Sequence, residues 1–178
     1  MTEELKEKWL NYLALTTVIL AVCATLSTFK GAGFSTRSVL SQTQAANQWA
    51  YYQAKSIKGY LYEIQKEALE LEFKKSKSSS AKSINDEYEK KIALYSQKIK
   101  KYDEEKAEIS KEAKKMETTR DDAQKHAGIF GLAVIFLQIA ILLSSIAALM
   151  KKKSVWVIGL ATGAAGLVYF ANGFFLFF

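Results

Sequence analysis

Side chains able to do covalent or acid–base chemistry are scarce in this 178-residue sequence, which has one histidine, His126, and one cysteine, Cys23. A lone imidazole supplies neither the ligand set of a zinc centre nor the base of a nucleophilic triad with its orienting acid. A lone thiol builds no disulfide framework. Cys23 lies inside the apolar run "AVCAT", where it reads as a small apolar side chain. His126 stands just before another apolar run and reads as an interfacial residue rather than a proton relay. The serines of "SKSSSAKS" (76–83) have no neighbouring base to activate a hydroxyl, and no glycine-rich stretch has the spacing of a phosphate cradle. The expected chemistry is therefore binding, with no catalytic residue, no metal and no cofactor.

Three groups of residues are suited to binding. Lys74, Lys75, Lys77 and Lys82 surround the serines with no acid between them, either as a basic knob for anionic lipid or an acidic partner, or as a solubilising turn. In "NQWAYYQAK" (47–55), Gln48, Trp49, Tyr51 and Tyr52 are expected to form a subunit interface, where amphipathic aromatics serve well. Gly159 and Gly163 make a GxxxG pair, with Gly166 close behind. Small residues of this kind let helices approach closely in lipid, within one chain or between copies, and an oligomer contact is expected here. Nucleic acid is not an expected partner. Between Lys30 and Lys125, 20 Lys/Arg interleave with 15 Asp/Glu, as in "DEEKAEISKEAKKME", and form no sustained basic stripe.

The elements that carry these groups follow from where charge is missing. No Asp, Glu, Lys or Arg occurs between Lys8 and Lys30, between Lys125 and Lys151, or after Lys153, leaving runs of 21, 25 and 25 residues. A helix needs roughly 20 residues to cross a bilayer. The expected class is an all-α membrane protein with three transmembrane helices, over 9–29, 127–150 and 155–178. An N-terminal tail (1–8) precedes them, and a basic turn (151–154) joins the last two. The first run reads as a retained helix, because Glu3, Glu4 and Glu7 give it an acidic head that signal peptides lack. "KGAGFSTRS" (30–38) allows a turn after it. The sequence has no proline, which suits long unbroken helices.

Residues 30–126 are expected to form a long antiparallel coiled-coil hairpin with its turn near 76–83. In the second arm Tyr88, Ile92, Tyr95, Ile99, Tyr102, Ile109 and Ala113 recur at the period of a left-handed seam. That seam continues through Phe130, Leu137 and Ser144 without changing phase, which predicts one helix from about 84 to 150. In the first arm Ala46, Ala50, Gln53, Ile57, Tyr60, Ile64, Ala68 and Leu71 keep nearly the same spacing. Folding at the serines pairs Leu71 with Tyr88, Ile64 with Tyr95, Tyr60 with Ile99, Ile57 with Tyr102 and Gln53 with Lys106.

With the short first span and the two closing spans, the block Gln48, Trp49, Tyr51, Tyr52, Gln53, Ala54, Lys55 and Lys58 resembles bacterial membrane proteins of the domain of unknown function 4337 family. The resemblance implies a bacterial origin and a three-span layout. It implies no reaction.

Lys6, Lys8 and the Lys151–Lys153 turn fall on one side of the three spans, which the positive-inside rule makes cytoplasmic. The expected location is the bacterial inner membrane with the hairpin on the periplasmic or outer side, although Lys114, Lys115, Arg120 and Lys125 argue the other way. The expected function is a non-enzymatic, homo-oligomeric membrane scaffold that meets lipid and a protein partner through helical stalks. The alternative is a channel or transport accessory with a path lined by Asn11, Thr16, Thr17, Gln138 or Ser144.

Overall fold

Long charge-free runs flanked by charged, proline-free sequence leave the backbone little alternative to helix, since hydrocarbon offers no partner for an unpaired amide. The computed structural model describes the backbone of residues 2–76 and 82–178, and side chains over 8–75 and 83–178. It contains three helices: α1 (Thr2–Ser76), α2 (Lys82–Met150) and α3 (Lys153–Phe175). Among the described residues there is no strand. Each helix carries a stretch long and apolar enough to cross a membrane. The expected turn over 76–83 falls mostly on residues 77–81, which lie outside the described residues, as does Lys77.

Two helix limits differ from expectation. Residues 30–38 form no turn, because α1 runs through them unbroken and neither Gly31 nor Gly33 adopts positive φ. At the other joint Lys151 takes the left-handed conformation (φ 53°), and its N–H and that of Lys152 donate to the carbonyls of Ala148 and Ala147. These bonds satisfy carbonyls at the end of α2 and leave α3 to begin two residues earlier than expected.

The chain divides into two compact units, Met1–Leu40 with Thr119–Phe178, and Ser41–Thr118. In the first, α3 lies against α1 and α2 through its glycines. A Cβ on Gly163 would stand 3.0 Å from Leu20 of α1 and 3.3 Å from Ala140 of α2. A Cβ on Gly166 would stand 2.8 Å from Leu137 Cγ, and one on Gly173 2.8 Å from the ring of Phe130. Leu20, Ala24, Leu137 and Ala140 form the buried cluster between these contacts. Phe130, fully buried, also meets α1, where a Cβ on Gly31 would lie 3.1 Å from it. Gly31 is therefore a packing glycine rather than a turn residue.

Polar groups inside this unit are held locally. The hydroxyls of Thr16, Thr17, Ser27 and Thr28 donate to carbonyls of their own helix three or four residues back. Asn172 accepts from the N–H groups of Phe177 and Phe178 and donates to the Phe178 carbonyl. At one end Trp9 and Trp156 lie 6.1 Å apart, and the Trp156 indole donates to the Thr16 hydroxyl. At the other, His126 stacks on Phe34 at 4.4 Å and donates from Nδ1 to the Gly173 carbonyl at 2.7 Å.

In the second unit α1 and α2 run antiparallel, as five contacts of opposite numbering show. Trp49 meets Glu117, Lys55 meets Glu105, Tyr62 meets Tyr95 and Tyr102, and Phe73 meets Tyr88. Tyr88, Tyr95, Ile99 and Tyr102 of α2 are partly buried. The expected first-arm seam is corrected, because Ile57, Tyr60, Ile64 and Leu71 are exposed. The residues of α1 turned inward are Ser41, Ala45, Gln48, Tyr52, Lys55, Gly59, Tyr62, Lys66, Leu69 and Phe73, none of them exposed. They alternate steps of four and three without a slip, on a face about 150° round the helix from the expected one.

Two predictions follow from these contacts. A Cβ on Gly59 would lie 3.8 Å from Tyr102 Cβ, the mean separation across a disulfide, roughly 3.8 Å. In a Cys23→Ala background, Gly59→Cys with Tyr102→Cys should bridge within one chain under mild oxidation, read by mobility on non-reducing gels. The Tyr60→Cys, Ile99→Cys pair should bridge poorly. In the first unit, Gly166→Ala should destabilise by about 1–3 kcal/mol through overpacking against Leu137. Gly131→Ala, which meets nothing within 4 Å, should be neutral or slightly stabilising. Denaturant unfolding of the detergent-solubilised protein compares the two.

Candidate functional site

Helix α1 carries two heptad-spaced faces between residues 41 and 75. The inward face is rich in polar side chains, and the outward one holds the aliphatics. Ala50, Ala54, Ile57, Leu61, Ile64, Ala68 and Leu71 alternate steps of four and three, and all seven are exposed. The four large members keep more than half of their surface open, Ile57 at 61%, Leu61 at 54%, Ile64 at 64% and Leu71 at 58%. On α2 in the same unit the exposed large aliphatics among the described residues are Ile84 and Leu94. A continuous apolar face of this size at helical spacing is unusual on a solvated surface.

The inward face is held by polar groups at two levels. Trp49 donates its indole N–H to Glu117 Oε1 at 2.9 Å and packs edge-on to Tyr52 at 5.6 Å. Six residues on, the Lys55 ammonium lies 2.6 Å from Glu105 Oε2 and sits over the rings of Tyr51 and Tyr102 at 5.2 and 5.5 Å. The Glu105 hydrogen bond, with help from Tyr51, raises Lys55 above the ordinary amine value. In return the Lys55 hydrogen bond holds Glu105 below the ordinary carboxylate value against its partial desolvation. Lys106 bonds Asp103 at 2.7 Å, which raises it, and lies 5.8 Å from the Tyr60 ring.

These positions separate the residues expected to act together. Trp49 and Tyr52, with Gln48 half-buried beside them, belong to the contact between α1 and α2, and of these four aromatic and glutamine positions Tyr51 is the exposed one. Trp49 lies in the chain's own packing, where Glu117 supplies the acceptor that the indole needs. Gly159, Gly163 and Gly166 are buried against Leu143, Leu20 and Leu137 of the same chain. Lys74 and Lys75 are exposed in the last turn of α1. The side chain of Lys82 lies outside the described residues. Sequence reasoning missed Lys55, Glu105, Tyr62 and Glu117. For Lys55 and Tyr62 the signal is the unbroken heptad frame from Ser41 to Phe73, obscured because so few of its members are apolar.

Among the described residues no group of three His, Cys, Asp or Glu is placed to hold a metal ion. Of the residues considered for a path, Thr16 and Thr17 are bonded to the Leu13 carbonyl. Gln138 is exposed, and Ser144 is fully buried with its hydroxyl unpartnered beside Gly159.

The model of the family described as "Domain of unknown function (DUF4337)" matches residues 9–176, nearly the whole chain, and the chain belongs to that family. Neither the curated proteins nor the solved structures contain a match.

The Lys55–Glu105 pair fixes a pH dependence. Glu105 titrates lower in the folded chain, so its contribution is whole above the ordinary carboxylate range and is lost as pH falls through the lowered value. Lys55 titrates higher, so its contribution is whole below the ordinary amine range and is lost as pH rises through the raised value. The pair therefore stabilises the chain between about pH 5 and pH 9. Glu105→Gln should lower the melting temperature at neutral pH, and the difference should shrink as pH falls through the acid range, as followed by far-ultraviolet circular dichroism. A drop that stays the same as pH falls would assign the loss to packing.

Proposed function

We propose that this member of the DUF4337 family is a non-enzymatic membrane scaffold that assembles with copies of itself through its charged helical arms. The observation that carries the reading is the exposed aliphatic face of α1, with Ile57, Leu61, Ile64 and Leu71 open on a stretch that also carries Lys58, Glu67 and Glu72 at exposed positions. Soluble surfaces seldom leave such a face bare, and the hydrophobic effect favours covering it. Three helices with stretches long and apolar enough to cross a membrane support anchoring in a bilayer. The lysines at 6, 8 and 151–153 support a cytoplasmic N-terminus, with residues 41–118 on the opposite side of the bacterial inner membrane. The pairing of α1 and α2 supports a coiled-coil hairpin as the projecting part. A channel has less behind it, since two of its five candidate residues bond to their own helix and Ser144 is buried.

Light scattering on the full chain in native nanodiscs tests the scaffold. The expected protein mass is a multiple of 19.9 kDa, and a single-copy mass at all concentrations overturns the reading. Purified protein in planar bilayers is expected to be electrically silent. Reproducible single-channel steps that disappear in Gln138→Leu would put the channel first.

A further inference from the structure

We infer that the outward face of α1 packs against the same face of further copies, parallel and in register, with more than two copies around an axis that runs along the helices. The inference rests on the self-assembly just proposed and gives it a geometry. Copies held in one membrane in one orientation run α1 in one direction, because the apolar span and the aliphatic face belong to the same unbroken helix. Cyclic symmetry then sets like residues at one level. The face has the length that such packing requires. Counted back from Leu71 in alternating steps of three and four, its frame returns through Ile57, Asn47, Leu40 and Leu26 to Tyr12, and every member is exposed. Up to Phe29 lipid covers these residues with or without a partner. Between Gly33 and Leu71 α1 carries seven charged residues, and none of them falls on the frame. A face open to water has no reason to avoid charge, whereas the core of an interface does.

Side-chain shape fits the parallel sense. In heptad terms Ile57, Ile64 and Leu71 hold d positions, and Asn47, Leu61 and Ala68 hold a positions. Isoleucine at d with leucine at a favours parallel bundles of more than two helices. Asn47 is the polar member, and an asparagine at one a position fixes register, because it meets its counterpart only when the copies are level. Where the apolar run ends, Gly33 leaves the frame open, with nothing within 4 Å of a Cβ there. The hollow around it, about 410 Å³ and lined by Phe34, Thr36 and Arg37 among others, is open to the neighbour's Phe29, which is 74% exposed. The area is adequate as well. The members from Ala50 to Leu71 expose roughly 600 Å² per copy, or about 1,200 Å² for two copies, the lower limit of specific interfaces. Beside the frame Gln53 flanks the neighbour's Lys58 and Tyr60 its Gln65, without repulsion. Glu67 faces the neighbour's Glu72, the one like-charge contact of this register between residues 50 and 72.

The test uses the full chain with Cys23→Ala, in two differently tagged forms bearing Ile57→Cys or Ile64→Cys, co-produced and oxidised in the membrane. Packing in register predicts abundant bridging of each form with its own kind. It predicts little between the two forms, whose sulfurs lie two helical turns apart, about 10 Å. Leu61→Lys, at an exposed position, should abolish both bridges, while the Gly59→Cys, Tyr102→Cys bridge within one chain still forms in the same background. Glu72→Lys turns the repulsive contact into an attractive one and should raise the yield of the Ile64→Cys bridge. Light scattering in native nanodiscs should give at least three times 19.9 kDa. Bridging between the two forms as strong as within each marks a shifted register or loose collision and overturns the inference. A two-copy mass, or a yield that Glu72→Lys does not raise, overturns it as well. Failure to bridge in a protein whose mass is still a multiple of the single chain overturns it and leaves the scaffold standing. Failure together with a single-copy mass overturns both.

Discussion

In lipid, helices gain nothing from hiding leucine, because the surrounding tails are as apolar as leucine itself. Close packing must hold them together, and in the membrane-suited unit that packing depends on room made around Phe130 and Leu137. Gly31 and Gly173 flank Phe130 from α1 and α3, and Gly166 takes the bulk of Leu137 against the bare backbone of α3. Phe34, Phe170 and Phe174 then gather around Phe130 at 6.0, 6.4 and 5.0 Å. Leu15, Val18, Val22, Leu142 and Val168, by contrast, face outward and take no part. Most of the apolar surface is available to lipid, and the fold relies on the few positions where it is not.

The other unit works under the opposite conditions. There burial is partial, and the contact between α1 and α2 is made of tyrosines, a lysine–glutamate pair and an indole bonded to a carboxylate. Such groups contribute modestly when solvent reaches them, since exposed ion pairs are worth little. What they supply is placement. Trp49 has its acceptor in Glu117, and Lys55 has its charge partner in Glu105, at only one rotation of α1.

That difference explains what could be read from the sequence. The three helices, the single long α2 and the in-phase positions of Tyr88, Tyr95, Ile99 and Tyr102 follow from period and from charge-free runs, signals that depend on local sequence. The role of Gly31 was hidden because a glycine near a charged segment reads as punctuation until its neighbour Phe130 is known. The inward face of α1 was hidden for a related reason. Apolar periodicity finds the most hydrophobic stripe on a helix, and here the partner within the chain takes the other one.

Two heptad frames on one helix also shape the search that the chain makes while folding. If α2 docked on the frame of Ile57, Ile64 and Leu71, it would cover more aliphatic surface than it does in the native pairing. That mispaired state is a competitor built into the sequence, a local conflict of the kind that roughens a folding landscape. It is disfavoured because it strands the indole of Trp49 and the ammonium of Lys55 away from Glu117 and Glu105. These polar contacts thus act as proofreading, rejecting a plausible wrong partner face more than they strengthen the right one. A partner that claims the aliphatic frame early would remove the competitor altogether, so assembly and correct folding would be one event.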